Sequence, residues 1–161
     1  GVAEKHGIAI DLERAKREVY GIYFELIPGR LAPVPGALAF VAACRARGLK
    51  TALATSADRM KLEGNLRAIA LPECAFDALI FGNRIAKKKP DPEIFLAAAK
   101  ELGVEPGSCL VVEDAVNGVV AARRAGCTCL ALSTTFSAEQ LTEAGAHHTA
   151  VDLLGGAERW L

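Results

Sequence analysis

The sequence predicts an α/β fold built on a doubly wound parallel sheet. After residue 35, short apolar runs alternate with segments whose apolar residues have helical spacing. The runs are continuous rather than alternating, which is typical of parallel strands that helices cover on both faces. A length of 161 residues fits about one domain. The composition, 52% apolar and 24% charged, indicates a globular chain.

A helix precedes the alternating region. Residues 11–26 place apolar side chains at helical spacing, and Asp11 can cap the first turn. The following stretch PGRLAPVP contains three prolines in eight residues, which indicates a linker. We therefore predict a helical piece at 1–27, a linker at 28–35 and an α/β core at 36–161.

The core is predicted to alternate between helices and strands. The predicted helices are 36–47, 58–69, 92–102, 115–125, 137–144 and 152–160. The predicted strands are 50–54, 77–81, 109–113, 127–132 and 148–151. In such a fold the carboxyl ends of the strands meet at one edge of the sheet, where ligands bind.

Charge, hydropathy and cysteine content exclude several functions. Basic and acidic residues number 19 each, so the formal net charge is zero and no nucleic-acid partner is expected. No apolar run approaches the roughly 20 residues of a membrane span, so no membrane insertion is expected. Among the five cysteines there is no CxxC pair. Cys127 and Cys129 lie on one face of a predicted strand and are expected to be buried as small apolar side chains, in a soluble protein of a reducing compartment.

Polar side chains follow the first three predicted strands: Thr55, Ser56, the lysines at 87–89, Glu113 and Asp114. A threonine hydroxyl with the backbone N–H groups of Ser56 and Ala57 can cradle an anion. A lysine adds positive charge, and adjacent carboxylates are hard oxygen ligands for Mg²⁺. Each feature alone is typical of a helix start or a solvated loop. Together, at strand ends, they predict a site for a phosphate and a divalent cation.

Three stretches resemble the motifs of a known family. ALATS, KKKPDPEIF and VVEDAVNGVVAARRAG resemble motifs II, III and IV of the haloacid dehalogenase (HAD) superfamily, in its phosphatase and β-phosphoglucomutase branch. The resemblance covers about residues 33–155 and implies a HAD-like Rossmannoid core, with the helix at 11–26 as the end of a helical cap. ATSADRMKLEGNL and EDAVNGVVAARRAG also resemble the HAD domain of plant chloroplast suppressor-of-quenching proteins. That likeness implies further domains of the same parent chain, and a location in the cytoplasm or the chloroplast stroma.

The resemblance also implies roles for particular residues. Thr55 and Lys89 would be catalytic, because they would bind the transferring phosphoryl group and neutralise its charge. The substrate would be a small phosphorylated metabolite, and the residues implied to bind it are Thr55, Ser56, Ala57, Arg59, Lys89 and Asn117. The implied ligands of the Mg²⁺ cofactor are Glu113 and Asp114.

The sequence departs from the family at its first motif. The family uses an aspartate nucleophile and a second aspartate two residues later as general acid and base, but no DxD occurs in these 161 residues. We therefore expect the chain as given to be inactive by itself. The family's first strand lies at the centre of the sheet. We expect it to be missing between 50–54 and 109–113, so that 109–113 pairs with 127–132 and not with 50–54.

Two interpretations are open. The chain is part of a longer phosphatase whose first strand and cap start lie outside it, which the Gly1 start favours, or it is a non-catalytic HAD-like binding or assembly module. As an enzyme, the parent would transfer phosphoryl groups to water with Mg²⁺, and a sugar-phosphate mutase is the alternative. A receiver domain is disfavoured, because its paired acids belong at an early strand.

Overall fold

The computed structural model describes residues 11–154 and Trp160. The helices are α1 Leu12–Leu26, α2 Ala37–Ala46, α3 Arg59–Ala68, α4 Glu93–Leu102, α5 Val116–Arg124 and α6 Ala138–Glu143. The strands are β1 Ala52–Ala54, β2 Ala78–Ile80, β3 Leu110–Glu113, β4 Thr128–Leu132 and β5 His148–Ala150. Every predicted strand is present, slightly shorter than expected. Residues 151–154 form a bend and a turn, and most of the helix predicted at 152–160 lies outside the described residues.

The strands form two parallel sheets rather than one. Strand β1 pairs with β2, and β3, β4 and β5 pair in that order. In the described part of the chain no ladder joins β1 to β3. This confirms the expected α/β fold with parallel strands, and the break falls at the place expected for the family's central strand.

Helices cover both faces of the larger sheet, which explains the continuous apolar runs. On one face Cys129 and Ala131 pack in a core that also holds Ile94 of α4 and Val119 of α5. On the other face, Leu130 and Leu132 of β4 pack in a second core with residues of α2. Because both of its faces are buried, β4 has no side that faces solvent, and its sequence is a continuous apolar run rather than an alternation of apolar and polar residues.

The first core also connects the two sheets. It contains Ile80 of β2 and Val111 of β3, with Ala52 and Ala54 of β1 packed against it. Helix α4 packs on both β1 and β2. The break in the backbone ladder is therefore bridged by apolar side chains.

Cys127 and Cys129 are buried, as expected for small apolar side chains of a predicted strand. All five cysteines are free thiols. Burial raises the pKa of the Cys127 and Cys129 thiols to about 11, which disfavours the reactive thiolate. Among the described residues no helix could cross a membrane.

Helix α1 is attached to α3 by a narrow seam. The Tyr23 hydroxyl donates to Asn65 Oδ1 (2.8 Å), and the Phe24 ring lies so close to Gly64 that a Cβ there would be 2.1 Å from a ring carbon. The seam leaves every α1 side chain at least partly exposed. Residues 1–10 of the helical piece predicted at 1–27 lie outside the described residues. The division of the chain at 27 and 35 stays a prediction, as does the interpretation of α1 as part of a cap.

Candidate active site

The turn after β1 is closed by its own threonine. Thr55 N–H donates to Ile80 O (2.9 Å), which extends the β1–β2 ladder by one residue. Thr55 Oγ1 then accepts the N–H of Ala57 (3.1 Å). One of the two amides expected to cradle an anion is therefore already engaged, and a bound anion would share or replace that hydrogen bond. Ser56 is exposed at the tip of the turn.

The loop after β2 supports this turn at close range. Gly82 N–H donates to Ala57 O (2.6 Å), and a Cβ on Gly82 would lie 2.3 Å from Ser56 O. The Lys88 ammonium donates to Gly82 O (2.8 Å). Only glycine lets the two loops approach this closely, and Lys88 is held beside the Thr55 turn as a result.

A cleft opens between this turn and the α1–α3 seam. Its volume is about 750 Å³, and Thr55, Ser56 and Ala57 line one side of it together with Lys88. Tyr20 of α1 and Lys61 of α3 line the other side. Sequence reasoning did not assign Lys88, Tyr20 or Lys61. Lys88 lies in the lysine run, but the pattern does not show which lysine faces the cleft.

Asp58 anchors α1 to the start of α3. Its Oδ1 accepts the Lys61 N–H (3.0 Å), while its Oδ2 accepts the Tyr20 hydroxyl (3.1 Å) and pairs with the Lys16 ammonium (2.5 Å). Partial burial by itself would raise the pKa of Asp58. The Lys16 ammonium, the Lys61 amide and the Tyr20 hydroxyl outweigh burial, so the pKa lies below its usual value. Asp58 is therefore a charged, engaged group at the cleft wall.

Lys89 occupies a separate environment at the end of β3. Its ammonium forms an ion pair with Glu113 Oε1 and lies 4.9 Å from the centre of the Phe95 ring. The exposed fractions of the Lys89 and Glu113 side chains are only 15% and 9%. A partly buried pair of this kind fixes the position of the lysine.

Glu113 is engaged from several directions. Its Oε2 accepts the N–H groups of Asp114 (3.1 Å) and Ala115 (3.3 Å), while Oε1 binds Lys89. A Cβ on Gly118 would lie 2.1 Å from the carboxyl group, so α5 needs glycine there. The structure thus uses Glu113 to anchor Lys89. A role in metal binding would require it to give up these partners.

Asp114 is the more accessible of the two predicted Mg²⁺ ligands. It is exposed, and its Oδ2 accepts the Thr135 hydroxyl (2.9 Å). Among the described residues no three His, Cys, Asp or Glu side chains form a group that could hold a metal ion. Mg²⁺ in phosphate sites commonly uses one or two carboxylates together with water and phosphate. Asp114 fits as one such ligand, and a full site needs further oxygen ligands.

Two other predicted substrate-binding residues are less closely connected to the cleft. The Arg59 guanidinium pairs with Glu63 and Glu73 and lies 5.7 Å from the centre of the Phe81 ring. Arg59 lines a groove along β2 rather than the cleft at Thr55. Asn117 is exposed in the first turn of α5, near the end of β3.

The predicted residues therefore form two groups. Thr55, Ser56 and Ala57 lie together after β1, and Lys89, Glu113 and Asp114 lie together after β3. These are the two strands that do not pair with each other. The arrangement offers anion-binding groups on one side of the break, and a fixed lysine with a solvent-facing carboxylate on the other.

Comparison with known proteins identifies the class. A family model described as haloacid dehalogenase-like hydrolase matches residues 3–126. The chain therefore belongs to the HAD-like hydrolase family, as the motifs indicated.

Individual relatives agree with this assignment. The chain is 43% identical over 148 residues to Protein SUPPRESSOR OF QUENCHING 1, chloroplastic, from Arabidopsis thaliana. This alignment covers 90% of this chain and 14% of the relative. The chain is 33% identical over 135 residues to Phosphorylated carbohydrates phosphatase from Thermotoga maritima, covering 78% and 62%. The chain thus spans less than two thirds of the length of each of these curated relatives.

Solved structures show the same fold. The crystal structure of CbbY from Rhodobacter sphaeroides in complex with phosphate matches with a TM-score of 0.82 at 28% identity, over 91% of this chain and 67% of that one. A CbbY mutant from the same organism, in complex with xylulose-(1,5)bisphosphate, matches with a TM-score of 0.78 at 30% identity, over 89% and 64%. The HAD-like Rossmannoid fold predicted from the sequence is therefore confirmed.

Proposed function

We propose that this chain is the phosphate-binding part of a HAD-like phosphatase, which transfers the phosphoryl group of a small phosphorylated metabolite to water with Mg²⁺. The carrying observation is the cleft at the end of β1, where the Thr55 turn faces Lys88. Supporting it, one relative is named as a phosphatase of phosphorylated carbohydrates, and one structural neighbour was solved with phosphate.

Within this proposal the residues have distinct tasks. The Thr55 hydroxyl and the Ser56 N–H donate to phosphoryl oxygens, and Lys88 adds positive charge. Lys89, fixed by Glu113, stabilises negative charge that develops at the reacting centre. Asp114 is the residue of this chain that would hold Mg²⁺. The ion, when bound, would neutralise charge on the phosphoryl oxygens. Arg59 and Asn117 would contact the substrate at the periphery of the site.

The nucleophile is proposed to come from outside these 161 residues. No DxD is present in the sequence, and β1 and β3 present unpaired edges in the described structure. A strand between them, carrying the aspartate pair at its carboxyl end, would complete both ladders and bring the nucleophile to the two groups of residues. We therefore propose that the chain alone does not turn over phosphate esters.

The parent is proposed to work in a reducing compartment, either the cytoplasm or the chloroplast stroma. Five free thiols and a relative named as chloroplastic support this. Further domains of the same parent chain are the proposed partners, because the match covers only 14% of that relative.

The decisive experiment compares the 161-residue chain with a version extended through the upstream codons of its own gene. Both are incubated with a panel of sugar phosphates and Mg²⁺, and free phosphate is measured. We expect release only from the extended chain. Isomerised sugar phosphate without net release would favour the mutase alternative, and no reaction by either chain would favour the binding module. Turnover by the 161-residue chain alone would contradict the proposed origin of the nucleophile.

A further inference from the structure

The cleft at Thr55 extends beyond the groups that a single phosphate would use. Besides the Thr55 turn and Lys88, it is lined by Lys61 and Asn65 of α3 and by Asn83 of the loop after β2. Helix α1 contributes Tyr20. A volume of about 750 Å³ is several times what an inorganic phosphate occupies and lies within the range of small-metabolite sites.

Hydrogen bonds to neighbours orient the amide side chains of this region as donors. Asn65 Oδ1 accepts the Tyr23 hydroxyl (2.8 Å), which leaves the Asn65 amino group to donate. Asn83 Oδ1 accepts the Arg59 N–H (3.3 Å), which leaves the Asn83 amino group to donate. Each amide oxygen therefore already accepts one hydrogen bond from the protein, and both amino groups remain to donate to a ligand.

The charges of the cleft have the same bias. Within residues 11–154 no carboxylate pairs with Lys61 or Lys88. The one acid of the lining, Asp58, is neutralised by Lys16. The Lys61 ammonium lies 4.9 Å from the centre of the Tyr23 ring, and this cation–π contact stabilises its positive charge. The cleft therefore presents two unneutralised cations and several donors.

We propose that Lys61 and Asn65 form a second anion subsite, so that the substrate carries another anionic group besides its scissile phosphate. That group is a carboxylate or a second phosphate, because either is rich in acceptors and complements ammonium and amide donors. A substrate with a neutral or cationic tail would leave Lys61 without an anionic partner in the complex. This inference rests on the proposed function, since it assumes that the Thr55 end of the same cleft takes the scissile phosphate.

Matched ligand pairs test the subsite by direct binding. The first pair is 3-phosphoglycerate and glycerol 3-phosphate, in which a carboxylate replaces a hydroxymethyl group. The second is fructose 1,6-bisphosphate and fructose 6-phosphate, which differ by a phosphate. Calorimetry with the chain is expected to give about tenfold tighter binding of the member with the extra anionic group in at least one pair, the size expected for one charge-assisted contact. Which pair shows the gain identifies the second group.

Variants separate a local contact from a general charge effect. Lys61→Gln is expected to reduce the ratio within the responding pair to about one, by weakening the member with the extra anionic group more than its partner. Lys100→Gln removes the same charge from the exposed face of α4 and is expected to leave the ratio intact. Circular dichroism confirms that each variant is folded.

The outcomes distinguish the two proposals. If inorganic phosphate binds and Thr55→Val weakens it, but neither pair shows a gain, the subsite is wrong and the proposed function stands. Equal effects of Lys61→Gln and Lys100→Gln also overturn the subsite. If the chain binds neither inorganic phosphate nor any of the four esters, both proposals fail.

Discussion

The two sides of the broken sheet handle charge in opposite ways. After β3, the Lys89 ammonium is paired with Glu113, and Glu113 is bound by two backbone amides. After β1, Lys61 and Lys88 have no carboxylate partner in the described structure, and the Thr55 turn faces a wide cleft. The β3 side is held in one arrangement by the protein itself, whereas the β1 side leaves donors for a ligand. In the proposed function, a site divided in this way combines a fixed lysine for catalysis with an open surface for substrate binding.

The largest expected effect on stability comes from a substitution at Gly82, where the loops after β1 and β2 approach each other most closely. A methyl group in Gly82→Ala would meet the backbone oxygens of Ser56 at 2.3 Å and Ala57 at 3.1 Å, and backbone cannot rotate away as a side chain can. We expect a loss of about 3 kcal/mol in the free energy of unfolding, measured by urea denaturation. The matched control is Gly107→Ala, where the new methyl group would meet nothing within 4 Å. Equal losses in the two variants would contradict the close approach of the loops.

On the β3 side, the second prediction removes the negative charge of Glu113, which pairs with Lys89. Glu113→Gln keeps the shape of the side chain but leaves a mostly buried ammonium without its counter-charge. We expect a loss of about 2 kcal/mol, less than for a fully buried pair because both groups retain some exposure. Glu101→Gln, at the exposed pair with Arg84, is the control and should cost below about 1 kcal/mol. A double variant with Lys89→Met should recover part of the loss, and strict additivity would contradict the coupling.

The sequence predicted this contrast only in part. Continuous apolar runs identified the parallel strands, since β4 is buried on both faces, and the polar residues after β1 and β3 were found because ligands bind at strand ends. The missing ladder between β1 and β3 followed from the absent first motif. These features depend on local pattern or on the family resemblance.

The remainder depends on contacts between distant positions. Tyr20 meets Asp58 across 38 positions and Tyr23 meets Asn65 across 42, so no local pattern reveals the wall of the cleft. The lysine run does not show that Lys88 faces the cleft while Lys89 faces Glu113. Likewise, adjacent acids predict metal ligation at a strand end, but only the structure shows that Glu113 is engaged by Lys89 and two amides.

Ligand binding sharpens the comparison directly. The β1 side offers donors to an anion without needing a metal, whereas the β3 side offers Mg²⁺ one exposed carboxylate, Asp114, which accepts the Thr135 hydroxyl. We expect calorimetry of the 161-residue chain to show phosphate binding more readily than Mg²⁺ binding, because Mg²⁺ is dehydrated reluctantly and needs several oxygen ligands. Asp114→Asn should change the phosphate affinity little. Tight Mg²⁺ binding without a phosphate signal would reverse the assignment of the two sides.

The smallest expected effect concerns Asp58, which holds α1 at the cleft wall. Its pKa in the folded chain lies below the ordinary value, so the carboxylate contributes stability that is present above the unfolded pKa of about 3.9 and is lost as the pH falls through the lowered folded pKa. Because its Lys16 partner is substantially exposed, we expect Asp58→Asn to cost no more than about 1 kcal/mol at pH 7. The difference in unfolding free energy between the wild type and this variant should shrink toward zero as the pH is lowered below 3.9. Lys16→Gln should reproduce part of the loss at pH 7 and flatten its pH dependence. A difference that persists unchanged at low pH would mean that Asp58 acts through the shape of the α3 cap rather than through its charge.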